Sequence, residues 1–173
     1  MSTIQATSPD LGALQDRLEV ADLLYKYASA IDSFDRDGVR SAFVYDACAE
    51  YGNLEPVDGA DAIVEFIFGE TSATVWQHHF LSVYHVNLDG DTAGALSYLT
   101  SHQVFDRDVN AAKVLVARYH DELTRTATGW KISKKVGEFL WAELRASTEE
   151  ALAMVGGRGP KLGPWHRDLQ TTS

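Results

Sequence analysis

Apolar residues recur at steps of four and three through the first part of the chain. Leu14, Leu18, Ala21, Tyr25 and Ala28 fall on one face of a helix expected over residues 13–31. Asp16, Arg17, Glu19, Asp22 and Lys26 fall mainly on the other faces, as a solvated side should. The next step along the apolar stripe is Asp32, a carboxylate where burial is costly. Residues 33–38 read as a turn, with Asp35 or Asp37 able to cap a short second helix running through Phe43. Residues 47–51 read as a short strand, 53–59 as loop, and 60–68 as a third helix with Ile63, Phe66 and Ile67 on its apolar side.

From Trp76 onward the period shortens to that of strands. Residues 79–88 run to Asp89-Gly90-Asp91, a strong hairpin signal, and residues 93–105 return. A looser connection over 106–111 leads to strands over 114–125 and 130–141, separated by a turn around Thr128-Gly129. Helices first and antiparallel strands after predict an α+β domain, its curved sheet wrapped around the long helix and enclosing a pocket. A final helix is expected over 143–155, stopped by Gly156-Gly157. The tail beyond holds Trp165-His166, and reads either as a disordered terminus or as a segment packed on a neighbouring subunit or over the pocket mouth. The organisation is thus a loose arm over 1–12, one domain over 13–145, and a helix and tail over 146–173.

Composition narrows the partners. A chain of 173 residues, 45% apolar and 23% charged, fits one soluble domain with a substantial core. No apolar run approaches the roughly 20 residues that cross a bilayer, and Met1 to Asp10 lack a signal-peptide pattern, so a cytoplasmic location is expected. The single cysteine, Cys48, excludes an intrachain disulfide and any multi-cysteine metal site, and is expected as a packed core thiol. A net charge of −10 opposes nucleic-acid binding and favours a neutral or apolar small substrate.

Two readings of Asp32 stand side by side: a turn carboxylate at the helix end, or an acceptor that orients a histidine and stabilises its protonated ring. The histidine expected to meet it is His79. Alternation places His79, Leu81 and Val83 on one face and His78 on the other, so the adjacent pair cannot serve one site. Strict alternation also gives His85 the face of His79, but about 20 Å further along at roughly 3.3 Å per residue, which excludes a metal cluster within this strand. A mixed metal site drawing on His102, His120 or Asp121 is a lesser alternative. His102 lies near the end of the returning strand, where pairing can bring it to the pocket. Tyr51, Tyr98, Tyr119, Trp130 and Trp141 are candidate wall residues, each also compatible with a plain core role.

Several segments taken in order resemble the scytalone dehydratase and SnoaL-like branch of the NTF2-like superfamily. They are Ala28-Ser29-Ala30-Ile31-Asp32-Ser33, Ala49-Glu50-Tyr51, Gln77-His78-His79-Phe80-Leu81, His102-Gln103, Arg118-Tyr119-His120-Asp121-Glu122-Leu123 and Gly129-Trp130-Lys131-Ile132. The resemblance spans residues 14–144. It implies a cone-shaped α+β barrel, no metal or organic cofactor, frequent trimers, and an Asp–His dyad that removes a proton beside an activating group. Residue by residue it implies Asp32 and His79 as the dyad, His102 as a second active-site histidine and Tyr51 as a water-positioning tyrosine. The chain departs from the scytalone dehydratase pattern where Ile31 replaces a tyrosine, and where Ala117 and Tyr119 stand for a substrate-binding serine and asparagine.

The expected activity is therefore a cofactor-free elimination of the dehydratase type on an apolar cyclic molecule. Asp32, His79 and His102 are its catalytic candidates, with Tyr51, Tyr98, Tyr119 and Trp141 binding substrate. A polyketide cyclase or ketone isomerase would use the same base, and a non-catalytic ligand carrier or structural subunit would need none of it. A homo-oligomer is expected, a trimer ahead of a dimer.

Overall fold

The computed structural model describes residues 10–106, 108–146 and 148. Its first element, α1 (Leu11–Asp32), begins two residues earlier than expected because the Asp10 carboxylate accepts the Ala13 N–H at 3.2 Å. It ends where the Ser33 N–H and hydroxyl both turn back onto the Ser29 carbonyl. The stripe it buries is not the expected one. Val20, Leu24, Tyr27 and Ile31 are buried, whereas Leu14, Leu18 and Tyr25 are 52%, 63% and 45% exposed. The helix carries two apolar stripes, and periodicity alone cannot say which one meets the sheet. No helix among the described residues is long and apolar enough to cross a membrane.

Asp35 caps α2 (Arg36–Ser41) by accepting the Gly38 N–H at 2.9 Å. That helix stops before Phe43, which instead opens β1 (Phe43–Tyr51) and packs edge-on against Tyr27. Within the expected loop, β2 (Val57–Asp58) pairs with Cys48 and Ala49. The third helix, α3 (Ala60–Glu70), buries Ile63, Val64, Ile67 and Phe68 against the core, each such side chain contributing about 1.5–3 kcal/mol.

Four long strands follow: β3 (Thr74–Asp89), β4 (Thr92–Phe105), β5 (Asp108–Thr126) and β6 (Gly129–Ala146). The six strands form one sheet in the order β2-β1-β6-β5-β4-β3, parallel between β1 and β6 and antiparallel elsewhere. This is an α+β arrangement of the NTF2-like type, with a mixed sheet that does not close on itself. A two-residue turn at Gly90-Asp91 joins β3 to β4, with Gly90 at φ 59, a conformation that glycine takes without strain. The connection expected over 106–111 is shorter, since β5 already starts at Asp108. Glu143 to Ala146 continue β6 opposite residues 111–114 and do not open the expected final helix. Pairing along a long neighbouring strand overrides the helix preference of this short segment. The remainder of that expected helix, Gly156-Gly157 and Trp165-His166 lie outside the described residues.

Residues directly opposite one another on paired strands share a face, so the register sorts every side chain into an inner face toward α1 or an outer one. The innermost rows are Val83–Ser97–Tyr119–Gly137–Tyr51 and Val86–Ala95–Asp121–Lys135–Ala49. A register shift between Val83 and His85 inverts the alternation there. His85 therefore pairs with Leu96 on the outer face, contrary to strict alternation. Cys48 likewise pairs with Lys134 and is only partly buried, because Ala47 and Ala49 take the core positions of β1. Burial and the neighbouring Asp58 hold its thiol above the ordinary range.

The deepest polar contact is an ion pair. Lys135 is 1% exposed, and its ammonium lies 2.7 Å from Asp121 with the rings of Tyr27 and Tyr119 over it at 4.6 and 4.1 Å. Burial pushes the lysine down and the aspartic acid up, and each charge opposes the shift of the other. Such a pair contributes little over an apolar isostere, but removing one member strands the other. Lys135→Met should thus cost about 3–5 kcal/mol, and Lys135→Met with Asp121→Leu should recover most of that loss. Urea unfolding of the three proteins measures both.

Candidate active site

Three hydrogen bonds fasten the C-terminus of α1 to the inner edge of β3. The Gln77 amide Nε2 donates to the Ile31 carbonyl at 2.5 Å. The backbone N–H of His79 donates to Asp32 Oδ2 at 2.9 Å, and its ring Nδ1 lies 2.5 Å from Asp32 Oδ1. β3 is the edge of the sheet, so the His79 amide can turn to the carboxylate. The carboxylate sits at the negative end of the α1 dipole and gains from two donors that offset it.

An ionised carboxylate only accepts, so the contact assigns a proton to Nδ1, and in the neutral ring the lone pair is then on Nε2. Nε2 has no hydrogen-bond partner among the described residues. The pair is largely shielded, with side-chain exposures of 9% for His79 and 14% for Asp32. In its neutral form such an imidazole can accept a proton at Nε2 while an adjacent carboxylate stabilises the resulting cation.

The surroundings are mostly apolar. His79 shares its row with Ser101, Leu115 and Ala142, and the next row is Leu81, Leu99, Ala117 and Phe139. Tyr51 and Tyr119 come one row further in, packed on either side of Gly137, where an added Cβ would meet both rings at 3.1 Å. Tyr51 also stacks on Phe66 with ring centroids 5.2 Å apart. Burial raises both phenols well above their ordinary range, so they stay protonated.

The register brings Asp32, His79, Tyr51 and Tyr119 to the inner face and turns three other expected site residues away. His102 pairs with His78, and the two rings stack on the outer face with centroids 6.1 Å apart. Burial, and then His78, lower its imidazole. Tyr98 pairs with Ser82 and stacks on Tyr84, and Trp141 lies in the outer row of Phe80 and Thr100, 52% exposed. These three assignments are corrected for one reason: cross-strand pairing sets His102 opposite His78 rather than His79. Trp130 is buried, but at the other end of α1, beside Asp16 and under Arg125. The residues suggested for a mixed metal site are likewise split, with Asp121 inside and His102 and His120 outside.

Sequence reasoning passed over Gln77, Ser101 and Lys135. Gln77 was within reach, because alternation from His79 puts it on the same face. Ser101 and Lys135 needed the register, which no local pattern supplies.

Comparison with known proteins identifies the family and the fold. The SnoaL-like domain model matches residues 12–136. This chain belongs to the SnoaL-like family. An uncharacterised protein of Mycobacterium tuberculosis is 31% identical over 124 residues, covering 71% of this chain and 84% of the relative. A candidate aromatic ring hydroxylase from Novosphingobium aromaticivorans superposes with a TM-score of 0.69 at 30% identity, over 84% of this chain and 99% of the other. Two further structures share the fold. A candidate scytalone dehydratase from the same organism has a TM-score of 0.70 at 16% identity, over 79% and 93% of the two chains. The hexachlorocyclohexane dehydrochlorinase LinA-type3 of Novosphingobium barchaimii has a TM-score of 0.72 at 17% identity, over 81% and 97%.

Asp32 both closes the helix end and accepts from His79, so Asp32→Ala should lower stability by about 1–3 kcal/mol. It should also release the His79 ring, visible in the ring-nitrogen NMR shifts as loss of the single Nδ1–H tautomer.

Proposed function

We propose that this SnoaL-like protein is a cofactor-free lyase that eliminates water from an apolar cyclic molecule, with His79 as general base and Asp32 as its orienting partner. The observation that carries the reading is the 2.5 Å contact between Asp32 Oδ1 and His79 Nδ1 in a shielded setting, with no partner for Nε2 among the described residues. A partly buried aspartate paired to a histidine is a poor choice for a mere ligand carrier and a good one for proton transfer. Similarity in fold to a dehydrochlorinase and a candidate scytalone dehydratase agrees with elimination chemistry.

In this reading Nε2 takes the proton from the carbon beside a carbonyl, and the developing enolate is met by a protonated phenol, Tyr51 being the first candidate. The electron pair moves to form the new C=C bond as the β-oxygen departs. The imidazolium, stabilised by Asp32, returns its proton to that oxygen, so that water leaves and the base is restored. General-base action of this kind contributes about 10²–10⁴-fold. Orientation within a dry pocket and fixed dipoles supply the rest.

The same proposal extends to assembly. The outer sheet face exposes Phe80, Tyr84 and Trp141 together, an apolar surface suited to a second copy of the chain, with a trimer as the first expectation.

A panel of cyclic β-hydroxy ketones tests the activity, beginning with 3-hydroxy-1-tetralone, whose loss of water yields fluorescent 1-naphthol. The wild-type protein should release naphthol. His79→Ala should lower the rate by about 10²–10⁴-fold, while His102→Ala stays within about twofold of wild type. An equal rate in His79→Ala removes the base from the mechanism. A product with the mass of the substrate reassigns the protein to the isomerases.

A further inference from the structure

We infer that Ser101 and Gln77 make this site select a ligand bearing a hydroxyl group at its reacting end. The inference rests on the proposed base, and it concerns which chemical group lies beside it.

Six buried side-chain oxygens have no hydrogen-bond partner among the described residues, and two of them lie near His79, Ser101 Oγ and Gln77 Oε1; the others are Tyr51 Oη, Thr74 Oγ1, Ser97 Oγ and Asp121 Oδ2. Ser101 is 1% exposed and Gln77 2%. Leaving such an atom unmade costs about 1–3 kcal/mol, and folded proteins tolerate few of them. Both belong to the inner wall around the imidazole. Ser101 stands directly opposite His79 across the β3–β4 pair, which puts their Cβ atoms about 4.5–5.5 Å apart. Gln77 is two residues before His79 on the same face and diagonal to Ser101, about 7–8 Å away.

The chemistry of the two atoms specifies their complement. The Gln77 amide cannot be turned over, because its Nε2 is committed to the Ile31 carbonyl and a flip would set two oxygens against each other. Its Oε1 can therefore only accept. A ligand that satisfies it must bring a proton donor. Ser101 Oγ both donates and accepts, so it can serve the oxygen of that same donor. A hydroxyl meets both demands, whereas a halogen, a hydrogen or a methyl group meets neither. This favours loss of water over loss of halide, and it places the polar recognition that His102 cannot supply on the residue immediately before it.

Binding of 2-naphthol and of 2-methylnaphthalene, which have nearly the same shape, tests the inference without any turnover. The ratio of the two dissociation constants is compared in wild type, Ser101→Ala, Gln77→Met and, as a control, Ser97→Ala. Ser97 Oγ is another buried, unpartnered hydroxyl of the same strand, but it lies four residues deeper. Ser101→Ala and Gln77→Met should each shift the ratio by about tenfold toward the methyl compound, and Ser97→Ala should leave it unchanged. Because Ser101 Oγ has no partner among the described residues, Ser101→Ala should also keep or raise the thermal midpoint, the opposite of what a structural role predicts. An unchanged ratio in either variant overturns the role of that residue, and a shift in Ser97→Ala as large as in Ser101→Ala overturns the assignment to this site. A lowered midpoint in Ser101→Ala would make its hydroxyl structural and also overturn the inference. Since nothing here depends on catalysis, hydroxyl selection and the elimination reading can fail independently.

Discussion

The attachment of the α1 C-terminus to the free edge of β3 is the constraint on which the rest depends. A helix end offers unpaired carbonyls and a partial negative charge, and a sheet edge offers unpaired amides. Here each supplies what the other lacks. Asp32 takes the His79 amide and ring, and the Ile31 carbonyl takes the Gln77 amide. Closing the edge in this way also turns a histidine inward with its proton on Nδ1. The contact that completes the fold is thus the contact that fixes the orientation of the imidazole.

The interior divides along the axis of the long helix. At the deep end, Lys135 and Asp121 form a pair whose charges are matched within 2.7 Å and shielded by Tyr27 and Tyr119. Among the described residues, unpartnered oxygens occur at both ends: Asp121 Oδ2, Ser97 Oγ and Tyr51 Oη in the rows of that pair, and Ser101 Oγ and Gln77 Oε1 near His79. Buried polar groups are generally satisfied within a fold, so each exception calls for a partner that the described residues do not supply. What sets the His79 end apart is the 2.5 Å contact of its ring with Asp32, and the proposed function rests on that contact.

Much of this arrangement was legible from residue order. The strand–turn–strand reading around Asp89-Gly90-Asp91, the cap at Asp35 and the pairing of Asp32 with His79 all follow from local chemistry or from the family resemblance. The errors share a cause. His102, Tyr98 and Trp141 were given to the pocket, yet each lies on the outer face, because a strand defines two faces without saying which one a distant partner will cover. The bulge near Tyr84 moved His85 for the same reason, and on α1 the apolar stripe through Leu14 and Leu18 lost to the one through Val20 and Leu24.

By itself, the sequence determined where most helices and strands form, where most chain reversals occur, and that an acid and a histidine are candidates to meet, because these depend on near neighbours and on side-chain type. The tertiary structure alone decided register, and with it which side chains share the inner wall. Register is set by pairing between segments far apart in the chain, and a slip of one residue would exchange the two faces of the sheet. That is why Ser101 rather than His102 stands opposite His79, and why Lys135 could be recognised as a buried cation only once Asp121 was seen opposite it.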